Sequence, residues 1–364
     1  MCSAFRQHPY GSIFMKRVKS INGIELYDLI CDRDNIREAI RLACKDHAKD
    51  KSVIAIKMNP EPYVDKIHEI LVNESFEYSR FKNKTIFERG KKRDLCFTQT
   101  DPDRIIQHAV FNIVGDILHK CIPKDEYAAI KGRGTHACSM ALRKALWDCP
   151  WRTRYCLKID IRHFFDNIDR NILFDMIKRK IKCRRTLNIL HTIIFDAPGK
   201  KGLPIGLYSS QTLSVFYLHG LDHYCKETLG IKYYFRYMDD IVILASNKNH
   251  LHNYRRLISR YLSSMNLSLK QNHAIFPVDK RRIDFVGFVH DHKQVMIRKK
   301  TKKSYIRSCN KIIRYLKKNT PVSAHMIASK QSYEGIAGWA TSDAIVEKYS
   351  GRVYRAIEFG LEAI

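Results

Sequence analysis

No apolar stretch of the chain approaches the roughly 20 residues that a membrane span requires, and Met1–Ser20 is too polar for a secretory leader. The eleven cysteines contain no C-x-x-C pair and no regular spacing. An odd, scattered set without a leader points to reduced thiols in a cytosol, and argues against a disulfide framework or zinc. His290-Asp291-His292 has the look of a metal triplet, but it lies between two strand-like runs, Ile283–Val289 and Gln294–Ile297, and reads as a polar hairpin turn. No internal repeat or low-complexity segment is visible. Acidic residues are few: 37 Asp and Glu stand against 65 Lys and Arg, a net charge of +28 with a pI near 9.7. Without membrane features, such an excess points to a polyanionic partner, nucleic acid, rather than to a merely solvated basic surface.

What is present is a globular chain. Hydrophobic residues make up 45% of 364 positions, enough for two or three subdomains and a substantial core. Asp32–His47 is predicted as a helix capped by Asp34, with Ile36, Ile40, Leu42 and Ala43 at helical spacing. Val53–Met58 reads as a short strand, followed by a helix that begins after Pro62. Glu77–Thr98 alternates aromatic and basic residues and is predicted as a hairpin turning at Arg89-Gly90-Lys91-Lys92-Arg93. Helices are predicted over Asp103–Ile122, Thr135–Leu146, Arg170–Lys182 and Arg185–Phe195, with a β-prone run at Tyr155–Asp160. Leu203–Leu229 opens as a glycine-containing loop and continues as one long helix. Arg298–Lys318 holds ten Lys or Arg and no acidic residue, with Tyr305, Ile306, Ile312, Ile313 and Leu316 at helical intervals. Such a basic amphipathic helix suits a nucleic-acid backbone better than a membrane surface.

Four residues carry the most chemistry. Tyr237-Met238-Asp239-Asp240 lie between two strand-like runs, Lys232–Tyr237 and Ile241–Ala245. Adjacent carboxylates on an apolar hairpin are costly unless a cation neutralises them. Asp160 ends another strand. Were the strands neighbours, three carboxylates would meet at one sheet edge, a set able to hold two Mg²⁺ ions for nucleotidyl transfer.

The surrounding motifs resemble, in order, those of prokaryotic reverse transcriptases. Lys158-Ile159-Asp160-Ile161-Arg162-His163-Phe164-Phe165-Asp166-Asn167-Ile168 resembles the first catalytic motif. Gly202-Leu203-Pro204-Ile205-Gly206, followed by Ser210-Gln211 and Tyr217-Leu218, is similar to the motif that packs on template and nucleotide. Phe235-Arg236-Tyr237-Met238-Asp239-Asp240 resembles the hallmark box, and Ile283–Phe288 the primer-gripping hairpin. Asp103-Arg104 with Gln107-His108, and Gly132-Arg133-Gly134-Thr135-His136, resemble fingers elements. The likeness runs from about residue 25 to residue 340.

The resemblance implies an α/β (α+β) right-hand polymerase with fingers, an antiparallel-sheet palm and a helical thumb. The expected divisions are 1–125 for an N-terminal extension and fingers, 126–294 for the palm with fingers elements interleaved, and 295–364 for a basic helical thumb. Asp160, Asp239 and Asp240 would be catalytic and bind two Mg²⁺, with Mn²⁺ as a substitute and the Ile161 carbonyl completing one site. Lys91 and Arg93 would grip the triphosphate, Phe165 would exclude a ribose 2′-hydroxyl, and Gln211 would lie near the nascent base pair. Tyr237, Met238, Gly287, Lys302, Lys303 and Arg307 would meet primer and template, and Lys270 or His273 would be the general acid. Partners would be a structured template RNA, nascent DNA, deoxynucleotides and an accessory protein or second copy, in a bacterial cytoplasm. No RNase H module, endonuclease or maturase extension is expected. The Leu-Pro-Ile-Gly and Ser-Gln pattern is similar to that of diversity-generating retroelements, which place Asn where this chain has Leu207 and Val215. Those departures tilt the expected role toward antiviral defence. A non-catalytic RNA-binding scaffold and an RNA-dependent RNA polymerase are the readings from other classes.

Overall fold

The computed structural model describes residues 17–45, 50–88, 91–341 and 343–361. A two-rung ladder, β1 (Ser20–Ile21) and β2 (Ile24–Glu25), leads into α1 (Leu26–Cys31), α2 (Arg33–Ala43), α3 (Lys51–Met58) and α4 (Glu61–Val72). Two details differ from the sequence reading, and a third lies outside the described residues. The cap of α2 is Asp32, whose Oδ1 accepts from the amides of Asp34 and Asn35 at 2.9 and 3.1 Å. His47, the expected end of that helix, lies outside the described residues. Val53–Met58 is helical rather than extended: Asp50 caps the segment, and Val53 and Ile56, three apart, enter the core while Ile54 and Met58 stay exposed.

The basic hairpin is β3 (Lys82–Glu88) paired with β4 (Lys91–Phe97). Its expected turn residues Arg89 and Gly90, and the side chain of Lys91, lie outside the described part. A wide turn, Thr100–Arg104, precedes α5 (Ile105–His119). Asp103 is buried and takes the amide and hydroxyl of Ser79 at 3.1 and 2.8 Å, so the helix starts later than expected. Then come α6 (Thr135–Asp148), β5 (Tyr155–Asp160), α7 (Phe164–Asn167), α8 (Arg170–Lys178) and α9 (Arg184–Phe195). Helix α8 stops four residues early because Ile181 pairs with Val18. The predicted long helix after Leu203 is broken into α10 (Tyr208–Tyr217), α11 (His219–His223) and a wide turn at Tyr224–Thr228. At the break, His219 Nδ1 donates to the Phe216 carbonyl at 2.7 Å.

The central sheet is antiparallel, in the order β6 (Tyr233–Tyr237), β7 (Asp240–Ala245), β5 and β8 (Ala274–Pro277), with α12 (Lys248–Ser264) between β7 and β8. Strand periodicity sends alternate residues to opposite faces. Leu157, Ile159, Ile241, Ile243 and Tyr234 enter the large core shared with the N-terminal helices. Cys156, Val242, Leu244, Phe235 and Phe276 pack against α6 through Cys138, Leu142 and Leu146. Because both faces are covered, β7 reads as a continuous apolar run.

Beyond it lies a three-stranded sheet, β9 (Ile283–Phe285), β10 (Phe288–His290) and β11 (Val295–Ile297). The expected single run Ile283–Val289 folds back on itself at Val286-Gly287, whose φ values are +44° and +96°. Three helices follow: α13 (Lys299–Lys317), α14 (Ala324–Ala337) and α15 (Asp343–Leu361), packed through Tyr305, Cys309, Ile312, Met326 and Val353. Among the described residues no helix is long and apolar enough to cross a membrane.

Candidate active site

Strand pairing builds the site. Asp160 and Asp240 are direct partners across β5 and β7, and Tyr237 pairs with Asp240 across β6 and β7. Met238 and Asp239 therefore form a two-residue turn, and Met238 holds φ at +55°. The Ile161 amide donates to the Asp239 carbonyl at 3.3 Å, tying the two carboxylate-bearing segments together. Burial, together with the neighbouring Asp160, pushes the Asp239 carboxyl up to about 7. Burial also raises Asp240, against the pull of Lys158, whose Nζ lies 3.7 Å from Asp240 Oδ2.

Oδ1 of Asp160 and Oδ1 of Asp240 are buried without a hydrogen-bond partner. Such lone pairs fit a hard divalent cation. Among the described residues no three His, Cys, Asp or Glu side chains close into a metal cage. The carboxylates instead form an open edge, as suits an ion that also borrows substrate oxygens. His290-Asp291-His292 is a turn: His290 Nε2 meets Ser139 Oγ at 2.9 Å, and Asp291 Oδ1 accepts the amides of Lys293 and Gln294, each at 2.8 Å.

The two general-acid candidates separate. Lys270 Nζ lies 2.6 Å from Asp160 Oδ2. His273 contacts the Lys270 carbonyl at 3.4 Å and Arg255 at 3.3 Å. Phe165 is half-buried with its ring edge-on to Phe164, centroids 5.5 Å apart. Gln211 is exposed at a cavity of about 500 Å³ shared with Phe111, Tyr208 and Thr212. Tyr237 and Met238 pack against buried Val215. Arg93 is exposed on β4, Gly287 occupies the tip of the β9–β10 hairpin, and Lys302, Lys303 and Arg307 are exposed on α13, apart from the carboxylate edge in sequence and element.

The loop before α10 is clamped at two glycines. A Cβ on Gly202 (φ +77°) would come within 2.6 Å of the Phe165 carbonyl oxygen, and one on Gly206 (φ +114°) within 2.5 Å of that of Cys96. The Cys96 amide donates to Ile205 at 2.7 Å, fastening the basic hairpin to this loop. Gln107 accepts from the Ser209 amide at 3.1 Å, capping α10. Leu207 lies with Cys96 and Ala197, and Val215 with Ile122 and Ala128, so both slots are apolar and buried.

Sequence reasoning missed the supports. Arg236 is fully buried on β6, 2.5 Å from Asp222 and 2.8 Å from Glu126, themselves fully buried. It also donates to the Met238 carbonyl at 3.0 Å, while Glu126 accepts from the Met238 amide at 3.4 Å. Arg170 donates to the carbonyls of Gly202, Phe195, Ala197 and Pro198 at 2.7 to 3.1 Å. An arginine inside an apolar strand was the one available signal for the first of these.

The sequence pattern of the family described as "Reverse transcriptase (RNA-dependent DNA polymerase)" matches residues 82–290, more than half of the chain. No curated protein matches it. Among solved structures, telomerase from Candida albicans, in complex with a fragment of telomeric RNA, superimposes with a TM-score of 0.50 at 12% identity, covering 85% of this chain and 61% of that one. Apo telomerase from Candida Tropicalis gives 0.50 at 13% identity, covering 79% and 59%. The chain thus spans about 60% of the length of those two proteins, and the likeness is one of fold. With the family pattern lying across both aspartate motifs and the antiparallel sheet that joins them, the chain belongs to the reverse transcriptase family.

Proposed function

We propose that this chain is an RNA-directed DNA polymerase, adding deoxynucleotides to a primer end on an RNA template. The observation that carries the reading is the pairing of Asp160 with Asp240 across β5 and β7, with Asp239 in the adjoining turn. Asp160, Asp239 and the Ile161 carbonyl are the proposed ligands of two Mg²⁺ ions, or Mn²⁺ in their place, with Asp240 contributing weakly. The bound ions would supply polarisation of the 3′-hydroxyl and neutralisation of the leaving pyrophosphate.

The remaining steps belong to the chain's own groups. Lys270, with its Nζ 2.6 Å from Asp160 Oδ2, is the proposed donor to the pyrophosphate. Phe165 is the proposed barrier beneath the sugar, Gln211 the contact beside the nascent pair, and Tyr237 and Met238 the primer contacts. Lys91 and Arg93 are assigned to the triphosphate, Gly287 to the primer, and Lys302, Lys303 and Arg307 to the duplex backbone. Residues 1–125 are assigned to an N-terminal extension and fingers, 126–294 to the palm with fingers elements interleaved, and 295–364 to a basic helical thumb. None of the ten described cysteines forms a disulfide, which supports a reducing, cytoplasmic setting.

A scaffold without catalysis is disfavoured because three clustered carboxylates have no structural benefit without a cation. For the biological role, the reading is antiviral defence rather than sequence diversification, because Leu207 and Val215 stand where diversity-generating retroelements place Asn, with a dedicated structured RNA as template. Primer extension by the purified protein, on RNA with deoxynucleotides and Mg²⁺, tests the activity; sequencing the RNA that co-purifies with it tests the role. Failure to extend any primer overturns the first proposal, and a co-purifying RNA that is copied into a variable gene overturns the second.

A further inference from the structure

All three tryptophans of the chain lie on its surface: Trp151 is 63% exposed, Trp339 43% and Trp147 39%. Aromatic side chains of this size ordinarily dominate cores. Their placement is ordered. On α6, His136, Met140, Arg143 and Trp147 recur at intervals of four, three and four, which puts them on one face. That face is distinct from the one carrying Cys138, Ser139, Leu142 and Leu146, which are buried, and its His136 end also meets the core ring of Phe288 at 5.9 Å. Trp339 extends the face at one end by stacking on His136, centroids 4.6 Å apart and planes 29° apart. Trp151 is exposed in the turn after α6, four residues beyond Trp147. The Arg143 guanidinium lies over the Trp147 ring at 5.1 Å.

We infer that this stripe is a docking surface for an unpaired nucleic-acid strand, separate from the catalytic edge. Bases in a duplex have their faces already stacked, whereas unpaired bases stack on exposed indoles with little regard to sequence. The charge fits a polyanion: Arg143 lies within the stripe, and exposed Arg152 and Arg154 follow Trp151, in a chain of net charge +28. Lys144 is engaged with Asp148 at 3.1 Å, so the arginines carry the backbone contacts. Helix α6 is roughly 20 Å long, a path for about six stacked nucleotides. Trp151 lies four residues before Tyr155, which stands at the end of β5 opposite Asp160, roughly 17 Å along the strand. Under the proposed function, the occupant is unpaired template RNA lying beyond the paired primer–template.

The inference extends the proposed function to a second surface and is tested without catalysis. Full-length protein carrying Asp239→Ala, with no nucleotide present, is titrated with a single-stranded RNA oligomer, the DNA oligomer of the same sequence, and a blunt RNA–DNA duplex. Binding of a single strand quenches the tryptophan fluorescence. Adding Trp147→Ala and Trp151→Ala weakens binding of the RNA oligomer about tenfold or more while leaving the blunt duplex unaffected; a loss confined to the DNA oligomer overturns the assignment to template RNA. Arg143→Gln gives a smaller loss with a shallower salt dependence. Unchanged single-strand affinity, or an equal loss on the blunt duplex, overturns the inference and leaves the stripe to a protein partner. Activity of the otherwise unaltered chain is scored separately, so a failure of the polymerase reading does not decide this one.

Discussion

Arg236 donates Nη1 to the carbonyl of Met238 at 3.0 Å, from a side chain with no exposure to solvent. The same guanidinium contacts Asp222 and Glu126, burial pushes the Glu126 carboxyl up to about 7 against its pull, and Glu126 reaches back to the Met238 amide. A non-glycine residue at φ +55° persists only when its surroundings fix it. Here a buried ion triad does so from beneath. Arg236→Leu leaves two carboxylates buried without a counter-charge, and the expected cost is about 3–5 kcal/mol. A denaturant midpoint close to the parent's would contradict that placement.

Lys270 and His273 make different predictions. Lys270 is at the Asp160 carboxylate, while His273 is turned to Arg255. Lys270→Ala is expected to lower kcat by about 10² or more, with primer–template affinity little changed. His273→Ala stays near the parent rate. Single-turnover incorporation separates the two, and the reverse ranking would reassign the acid.

Phe165 is fixed against Phe164 and by the Leu203 amide on its own carbonyl at 2.8 Å. Truncating its ring removes bulk without disturbing that backbone bond. For Phe165→Ala, kcat/KM for ribonucleotides should rise about tenfold or more relative to deoxynucleotides. An unchanged ratio would make the ring a packing residue only.

His290 gives the fold a pH dependence. Burial pushes its imidazole from 6.5 down to about 4. Between those values the unfolded chain holds a proton that the folded chain lacks, so stability falls as pH drops through that window, by up to about 3 kcal/mol. His290→Gln removes this contribution. Chemical denaturation at several pH values should show a shallower slope between 6.5 and 4 for the variant, and an equal slope would contradict the assignment.

The strands at Tyr155–Asp160 and Tyr233–Tyr237 are legible because short apolar and aromatic runs end there at a carboxylate or at the turn box. So is the basic amphipathic helix α13, whose Tyr305 and Ile312 are buried as its spacing implies. Val53–Met58 was misread because Val-Ile-Ala-Ile suits either structure, and a cap from Asp50 decides it. The long helix after Leu203 failed for a reason that no periodicity carries, the His219 side chain bonding within the turn. The carboxylates were readable from local sequence. Their supports were not, since Glu126, Asp222 and Arg170 act across distances in the chain where only the fold brings partners together.

The central claim is that the carboxylate edge is catalytic rather than structural. The most direct measurement is incorporation of a single deoxynucleotide by Asp239→Ala, made beside the parent protein on the same RNA template with Mg²⁺. Loss of incorporation is expected, with the melting transition and RNA affinity retained. Incorporation at the parent rate by a folded Asp239→Ala protein would contradict it.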